Sequence, residues 1–200
     1  GEAQRVKLAS VNWFGAESPE FVVGGLARAT LSSIVRWVRE EGFNSIRLPW
    51  SNQLVETNPT VQDKYLTANP ELRGKRALEI LDHVVAAAAA EGLMIILDNH
   101  RGRADWCCDE AHGDGLWYSN EYPESSWLAD WKTMVRRYRD QPAVVAAELR
   151  NEIRPDPAVA STPPTWGGPD PRVNWKRAAE LGGEAVLAEP AADRDCQRAA

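Results

Sequence analysis

The stretch Leu93-Met94-Ile95-Ile96-Leu97-Asp98-Asn99-His100 decides the fold. Five apolar residues in a row, without polar alternation, read as a strand buried on both faces, as parallel strands are. The run then breaks into an acid, an amide and an imidazole. Before it lies Lys75 to Ala90, where Leu78, Leu81, Val84, Val85 and Ala88 share one helical face and Gly92 marks the stop. Strand follows helix, and polar chemistry sits at the strand's C-terminal end.

The same unit recurs on both sides. Arg5 to Phe14 reads as a first extended run ending at Gly15, and Thr30 to Glu41 as an amphipathic helix with Leu31, Ile34, Val35 and Val38 in phase. Phe43 to Leu48 reads as a second strand closed by Pro49, followed by a polar loop to about Arg73. After a long loop from Arg101 to Ser126, the spacing predicts a helix over Trp127 to Arg139 and a strand over Val144 to Leu149. A Pro-rich loop, Pro155 to Pro171, leads to a last helix over Asn174 to Ala188. Four strand–helix units predict an α/β fold with a parallel sheet. Trp37 and Trp131, on helical faces, are expected in the core.

The 200 residues carry a net charge of −6 and are 44% hydrophobic, enough for one domain with a core. The acidic balance argues against nucleic acid or an anionic membrane as partner. No apolar run approaches the roughly 18 residues of a membrane-spanning helix. The first residue is Gly1, which reads as a removed signal peptide or a trimmed start. Three cysteines, two of them adjacent at Cys107-Cys108, do not make a disulfide framework. Asp109, Glu110, His112 and Asp114 fit no metal-binding loop and read as a solvated loop, so no metal is expected. Gly113-Asp114-Gly115 lacks the setting of a phosphate loop, and there is no Gly-x-Ser-x-Gly elbow. Nine tryptophans beside three phenylalanines suggest that several line a surface for flat, hydroxylated ligands such as sugars.

Parallel α/β sheets place their chemistry at the C-terminal strand ends. Here those ends carry Asn12 and Trp13, Arg47 and Trp50, Asp98 and His100, and Asn151 and Glu152. A carboxyl at the mouth of a low-dielectric sheet has a raised pKa and can hand a proton to a leaving oxygen, which suits Glu152. Asn151 can bind a sugar hydroxyl, Arg47 can hold a carboxylate, and His100 can donate or switch. Structural alternatives stand beside these roles. Glu152 could pair with Arg150 or Arg154, Arg47 with Glu56 or Asp98, and His100 could be a satisfied neighbour of the site.

Four stretches carry a resemblance: Val11-Asn12-Trp13-Phe14-Gly15, Gly42-Phe43-Asn44-Ser45-Ile46-Arg47-Leu48-Pro49, Leu93 to His100, and Leu149-Arg150-Asn151-Glu152. In order and spacing they resemble the successive strand motifs of glycoside hydrolase family 5, the cellulase family. Trp106-Cys107-Cys108 and Gly115-Leu116-Trp117-Tyr118 resemble a third-loop signature of one branch. The resemblance implies the N-terminal half of a (β/α)8 barrel over residues 1–190, with an atypical polar tail at 191–200. It implies Glu152 as acid/base, Asn151 as binder of the hydroxyl beside the reacting carbon, Arg47 beneath the nucleophile and His100 lining the same subsite. Asn12, Trp13, Trp50, Trp117, Tyr118 and Trp175 are expected to line the substrate cleft. It further implies a secreted, cofactor-free, retaining enzyme acting on a β-linked polysaccharide or oligosaccharide.

A retaining glycosidase needs two carboxylates about 5–5.5 Å apart. The family's nucleophile lies at the end of a seventh strand, so this sequence is expected to lack it, with Asp98 as the one acid placed to stand in. Four strands leave two open edges and a face of Ile, Leu and Val uncovered, and a homodimer of half-barrels would cover them. A non-catalytic glycan-binding half-barrel and a promiscuous esterase-type hydrolase are the competing readings.

Overall fold

The computed structural model describes residues 5–106 and 113–188. The Cys107-Cys108 pair, Asp109, Glu110, His112 and the 191–200 tail lie outside them. Four parallel strands form one sheet in the order β1 (Ser10–Asn12), β2 (Ser45–Ser51), β3 (Met94–Arg101), β4 (Val144–Glu148). Helices α1 (Leu31–Glu40), α3 (Ala77–Ala90), α4 (Glu124–Tyr138) and α5 (Trp175–Leu187) follow the four strands in turn, with a short α2 (Asn52–Thr57) directly after β2. This is the four-unit α/β architecture expected, half the strands of a (β/α)8 barrel.

Helix α1 begins where Thr30 accepts a hydrogen bond from the Ser33 amide, and it buries Leu31, Val35 and Val38. Trp37 falls off that stripe and is 59% exposed, against the expectation of a core residue. Trp131 is fully buried as expected. The stretch expected as loop up to Arg73 contains α2, started by Ser51 accepting from the Leu54 amide, and two 3-10 turns. Strand β1 is only three residues long, and β2 runs through Pro49 rather than ending at it. Beyond Arg47, β1 has no further partner for β2, so a missing amide hydrogen there costs no ladder bond.

Residues paired in register share a face of the sheet. Val11, Ile46 and Ile95 lie on one face, with Leu48, Leu97 and Ala147 further along it. This face carries the fully buried Ile46, Leu48, Ile95 and Leu97. The opposite face carries Ser10, Ser45 and Met94, then Asn12, Arg47, Ile96 and Ala146, then Pro49, Asp98 and Glu148. The face expected to be an uncovered layer of Ile, Leu and Val is therefore largely polar or small. What is left apolar and open is the β4 edge. A groove of about 630 Å³ runs beside it, walled by Val135, Tyr138, Val145, Val186 and Leu187, with Val145 48% and Leu187 82% exposed.

Candidate active site

The polar face of the sheet converges on Arg47. Its Nε and Nη2 donate to the two carboxylate oxygens of Glu148 at 2.7 and 2.6 Å, Nη1 donates to Asn12 Oδ1 at 2.9 Å, and Nη2 also reaches Asn151 Oδ1 at 2.9 Å and Asp98 Oδ2 at 3.1 Å. One guanidinium thus ties all four strand ends together. The planar fork makes this possible, since it presents five donors in fixed directions. The Glu148 hydrogen bonds raise the Arg47 pKa against the cost of burial. The pairing partner is Asp98 together with Glu148, not Glu56.

Asp98 is buried, and its Oδ2 receives a hydrogen bond from His100 Nδ1 at 2.6 Å. Its Oδ1 is buried without a hydrogen-bond partner among the described residues. Burial pushes the carboxyl pKa up, while His100 and Arg47 pull it back. With Nδ1 donating to Asp98, His100 presents Nε2 as an acceptor toward Asn151 Nδ2 at 3.4 Å. The Asn151 amide is thereby oriented from both ends. Asp98 itself is enclosed and engaged, so its geometry suits orienting His100 rather than attacking a substrate.

Glu152 stands one residue beyond Asn151 and is exposed. The expected desolvation at a sheet mouth is not there. Its backbone has φ +42°, a conformation that a side chain other than glycine adopts at a cost of roughly 1–2 kcal/mol. Arg154 reaches only the Glu152 carbonyl, at 3.3 Å, and Arg150 is committed elsewhere, so neither expected ion pair to the carboxylate forms. A strained backbone thus holds an acid that neither arginine engages beside the Arg47 cluster.

Behind this cluster lies a second, closed one. Arg150 is buried; it donates to Asn99 Oδ1 at 3.0 Å and to Asp114 Oδ1 at 2.5 Å. Asp114 also meets Arg101 Nε at 3.1 Å and accepts from the Gly102 amide at 2.8 Å. It is a structural anchor, not the solvated loop residue expected. The Asn99 side chain continues through Asn52 at 3.2 Å to Asp130 at 2.6 Å. The Asn99 carbonyl accepts the Asn151 amide at 3.0 Å. The side chains of Trp127 and Trp131 both donate to the Leu149 carbonyl at 3.0 Å. The segment that delivers Asn151 and Glu152 is therefore pinned from several directions.

Several expected cleft residues take other places. Trp50 sits on the helix-facing side of β2, fully buried edge-on to Trp131 with ring centroids 5.0 Å apart. Trp117 is buried, donates to Glu124 and lies against Tyr118 and Trp175. Trp13 is buried and donates to the Gly24 carbonyl at 2.9 Å. These three rings are core, because one step of strand parity or a short loop turns them inward. Tyr118 and Trp175 are half-buried in the same aromatic group, where Tyr118 donates to the Arg172 carbonyl. Sequence reasoning missed Glu148, hidden behind the run Val144-Val145-Ala146-Ala147, although its register opposite Asp98 places it on the polar face.

The strand ends thus bring an Arg-held group of amides, carboxylates and an imidazole together on one face of a parallel sheet, with an acid just beyond the fourth strand. The chain belongs to the cellulase family, glycosyl hydrolase family 5, whose sequence model matches residues 5–192. It is 34% identical over 177 residues to an endoglucanase of Paenibacillus polymyxa, covering 88% of this chain and 41% of that protein. It is likewise 34% identical over 183 residues to the major extracellular endoglucanase of Xanthomonas campestris, covering 92% and 35%. Among solved structures, the catalytic domain of the Xanthomonas enzyme superimposes with a TM-score of 0.81 at 31% identity, over 92% of this chain and 50% of that one. The endocellulase from Pyrococcus horikoshii in complex with cellotetraose gives 0.82 at 31% identity, over 94% and 50%. The chain spans half or less of the length of these relatives.

Proposed function

We propose that this strand-end site binds a β-linked glucan and that Glu152 donates the proton to the departing glycosidic oxygen. The observation that carries the reading is the Arg47 cluster, which gathers Asn12, Asp98, Glu148 and Asn151 beside an exposed Glu152. Asn151, held by Arg47 and His100, would meet the hydroxyl next to the reacting carbon. The cellotetraose complex of the Pyrococcus relative supports a glucan as ligand. A polymer of that kind is met outside the cell, and the extracellular Xanthomonas relative supports export of this chain as well.

A second reading has its own observation. The other carboxylates of the cluster, Asp98 and Glu148, are engaged by Arg47, so the nucleophile of a retaining pair is not supplied by them. Glycan binding without turnover is the form this takes. The esterase-type alternative finds no comparable support. Glu152→Gln separates the first two: sugar release from soluble β-glucan is expected to fall about a hundredfold or more while glucan affinity persists. Release unaffected by the substitution overturns the role of Glu152, and no release before it favours binding alone.

The apolar groove along β4 supports a further part of the proposal, a second copy of this chain seated on that edge so that eight strands close. Light scattering is expected to give twice 22.2 kDa. A clean single-chain mass at micromolar concentration removes the dimer and leaves the site reading untouched.

A further inference from the structure

The polar network behind the Arg47 cluster has a fixed direction. Arg150 only donates, so the Asn99 Oδ1 that it meets at 3.0 Å must accept, and Asn99 Nδ2 is left to donate to Asn52 Oδ1 at 3.2 Å. Asn52 Nδ2 in turn donates to Asp130 Oδ2 at 2.6 Å. Two buried amides thus run head to tail from a guanidinium to a carboxyl. Hydrogen bonds in such a row polarise one another, so a change at one end is felt at the other. Asn99 stands between Asp98 and His100 on β3, and its carbonyl accepts the Asn151 amide at 3.0 Å. The row therefore joins a buried acid on α4 to the residue proposed to meet the sugar.

The charge on Asp130 is what can change that row. Burial pushes the carboxyl up to about 7, against the Asn52 hydrogen bond, so its proton comes and goes near neutrality. From α2, which packs on α4, Glu56 faces it and raises it further. From the segment ahead of α4, Tyr122 faces it with a hydroxyl pushed up to about 12 and therefore neutral. On α4 itself the helical neighbours Ser126, Trp127, Thr133 and Met134 carry no charge. On the sheet side the cation is Arg150, held off by the two amides. An ionised carboxylate in so dry a place draws water and donors to itself. The contact that must loosen to admit them is the one between α2 and α4, where Asn52 sits. Asn52 then releases Asn99, and the Asn151 amide loses its support.

We infer that Asp130 is a positioning residue of the strand-end site, tied to Asn151 through Asn52 and Asn99, and that glucan binds more tightly while Asp130 keeps its proton. The inference rests on that site binding glucan. Arg47 and His100 orient the Asn151 side chain, whereas Asp130 acts on its main chain from behind the sheet. Linkage makes the effect reciprocal: a ligand that favours the protonated state is bound together with a proton from solvent.

Calorimetric titration of the full chain with cellotetraose tests this, run between about pH 6 and 8.5 in buffers of different ionisation enthalpy so that proton uptake is counted. The unchanged chain is expected to take up about half a proton near pH 7.5 and to bind about fivefold more weakly at the upper end of the range, the effect of a roughly tenfold change in how tightly Asp130 holds its proton. Asp130→Asn keeps an acceptor for Asn52 and cannot ionise, so it is expected to lose that uptake and most of the fall in affinity. Protons exchanged by His100, Asp98 and Glu152 are common to both chains and cancel in the difference. Glu56→Gln, at an exposed position of α2, leaves the row intact and is expected to move the midpoint of the uptake to lower pH, because a raising charge is gone. Circular dichroism checks the fold of both variants. A merely structural Asp130 would change the melting temperature and leave the uptake as it is. Uptake and affinity profiles unchanged in folded Asp130→Asn overturn the inference while leaving the Arg47 site standing. Where Asp130→Asn does not fold, a midpoint that Glu56→Gln leaves in place overturns it instead. Absence of cellotetraose binding at every pH overturns the glucan reading and the inference with it.

Discussion

Arg47 and Arg150 are two arginines at strand ends with similar partners and opposite fates. Each holds a carboxylate and an asparagine. The Arg150 side chain is 1% exposed and the Arg47 side chain 21%. Around Arg150 the carboxylate of Asp114 is also engaged by Arg101 and a backbone amide, and the product is a closed, buried cluster. Around Arg47 the cluster opens on the polar face, and its neighbours His100, Asn151 and Glu152 border solvent. Residue type does not separate a structural ion pair from a site; the face of the sheet on which it lands does.

The comparison is put under most stress by removing each arginine. Arg150→Met leaves Asp114 buried with one partner fewer, and a loss of about 3 kcal/mol in urea denaturation is expected, the lower end for a broken buried pair because Arg101 remains. Arg47→Ala is expected to cost somewhat less, about 2 kcal/mol, since Glu148 stays half-exposed and hydrated while the buried Asp98 loses the guanidinium but keeps His100. Its large effect is expected on glucan turnover, or on affinity where turnover is nil: about a hundredfold, or roughly 2.7 kcal/mol. Equal losses of stability in the two variants would erase the distinction.

Much of this arrangement is legible in the sequence. The uninterrupted apolar run Met94 to Leu97 and the in-phase leucines and valines of α3 admit few alternatives, so the fold class follows. Arg47, Asp98, His100, Asn151 and Glu152 read as strand-end residues because polar groups there interrupt buried runs. Parity and context are harder to read. Trp50 and Pro49 are neighbours, yet one faces the helices and the other the polar face, and a register-shifting irregularity at the end of β2 is not written in composition. Glu148 is masked by its aliphatic neighbours, and Asp114 by loop residues that look solvated. Trp37 reads as core because helical spacing sets a stripe but not its width.

The closed cluster also has a far end that titrates, which sharpens the contrast. Asp130 is buried, accepts from Asn52 at 2.6 Å, and burial pushes its pKa up to about 7 against that hydrogen bond. Its value in the unfolded chain is near 3.8, so the folded state holds the proton more tightly. The resulting stability is fully present below about pH 4 and is lost as pH rises through about 7. A shift of this size sets an upper bound of about 4 kcal/mol, and roughly 2 kcal/mol is expected once water reaching the carboxyl is allowed for. Asp130→Asn keeps an acceptor for Asn52 and cannot ionise, so its unfolding free energy is expected to stay flatter between about pH 4 and 8 than that of the unchanged chain. In the Arg47 cluster burial also pushes the Asp98 carboxyl up, but His100 and Arg47 pull it back, and Asn151 is oriented by a guanidinium that stays charged throughout that range. Identical pH slopes with and without Asp130 would mean that the closed cluster draws nothing from this proton.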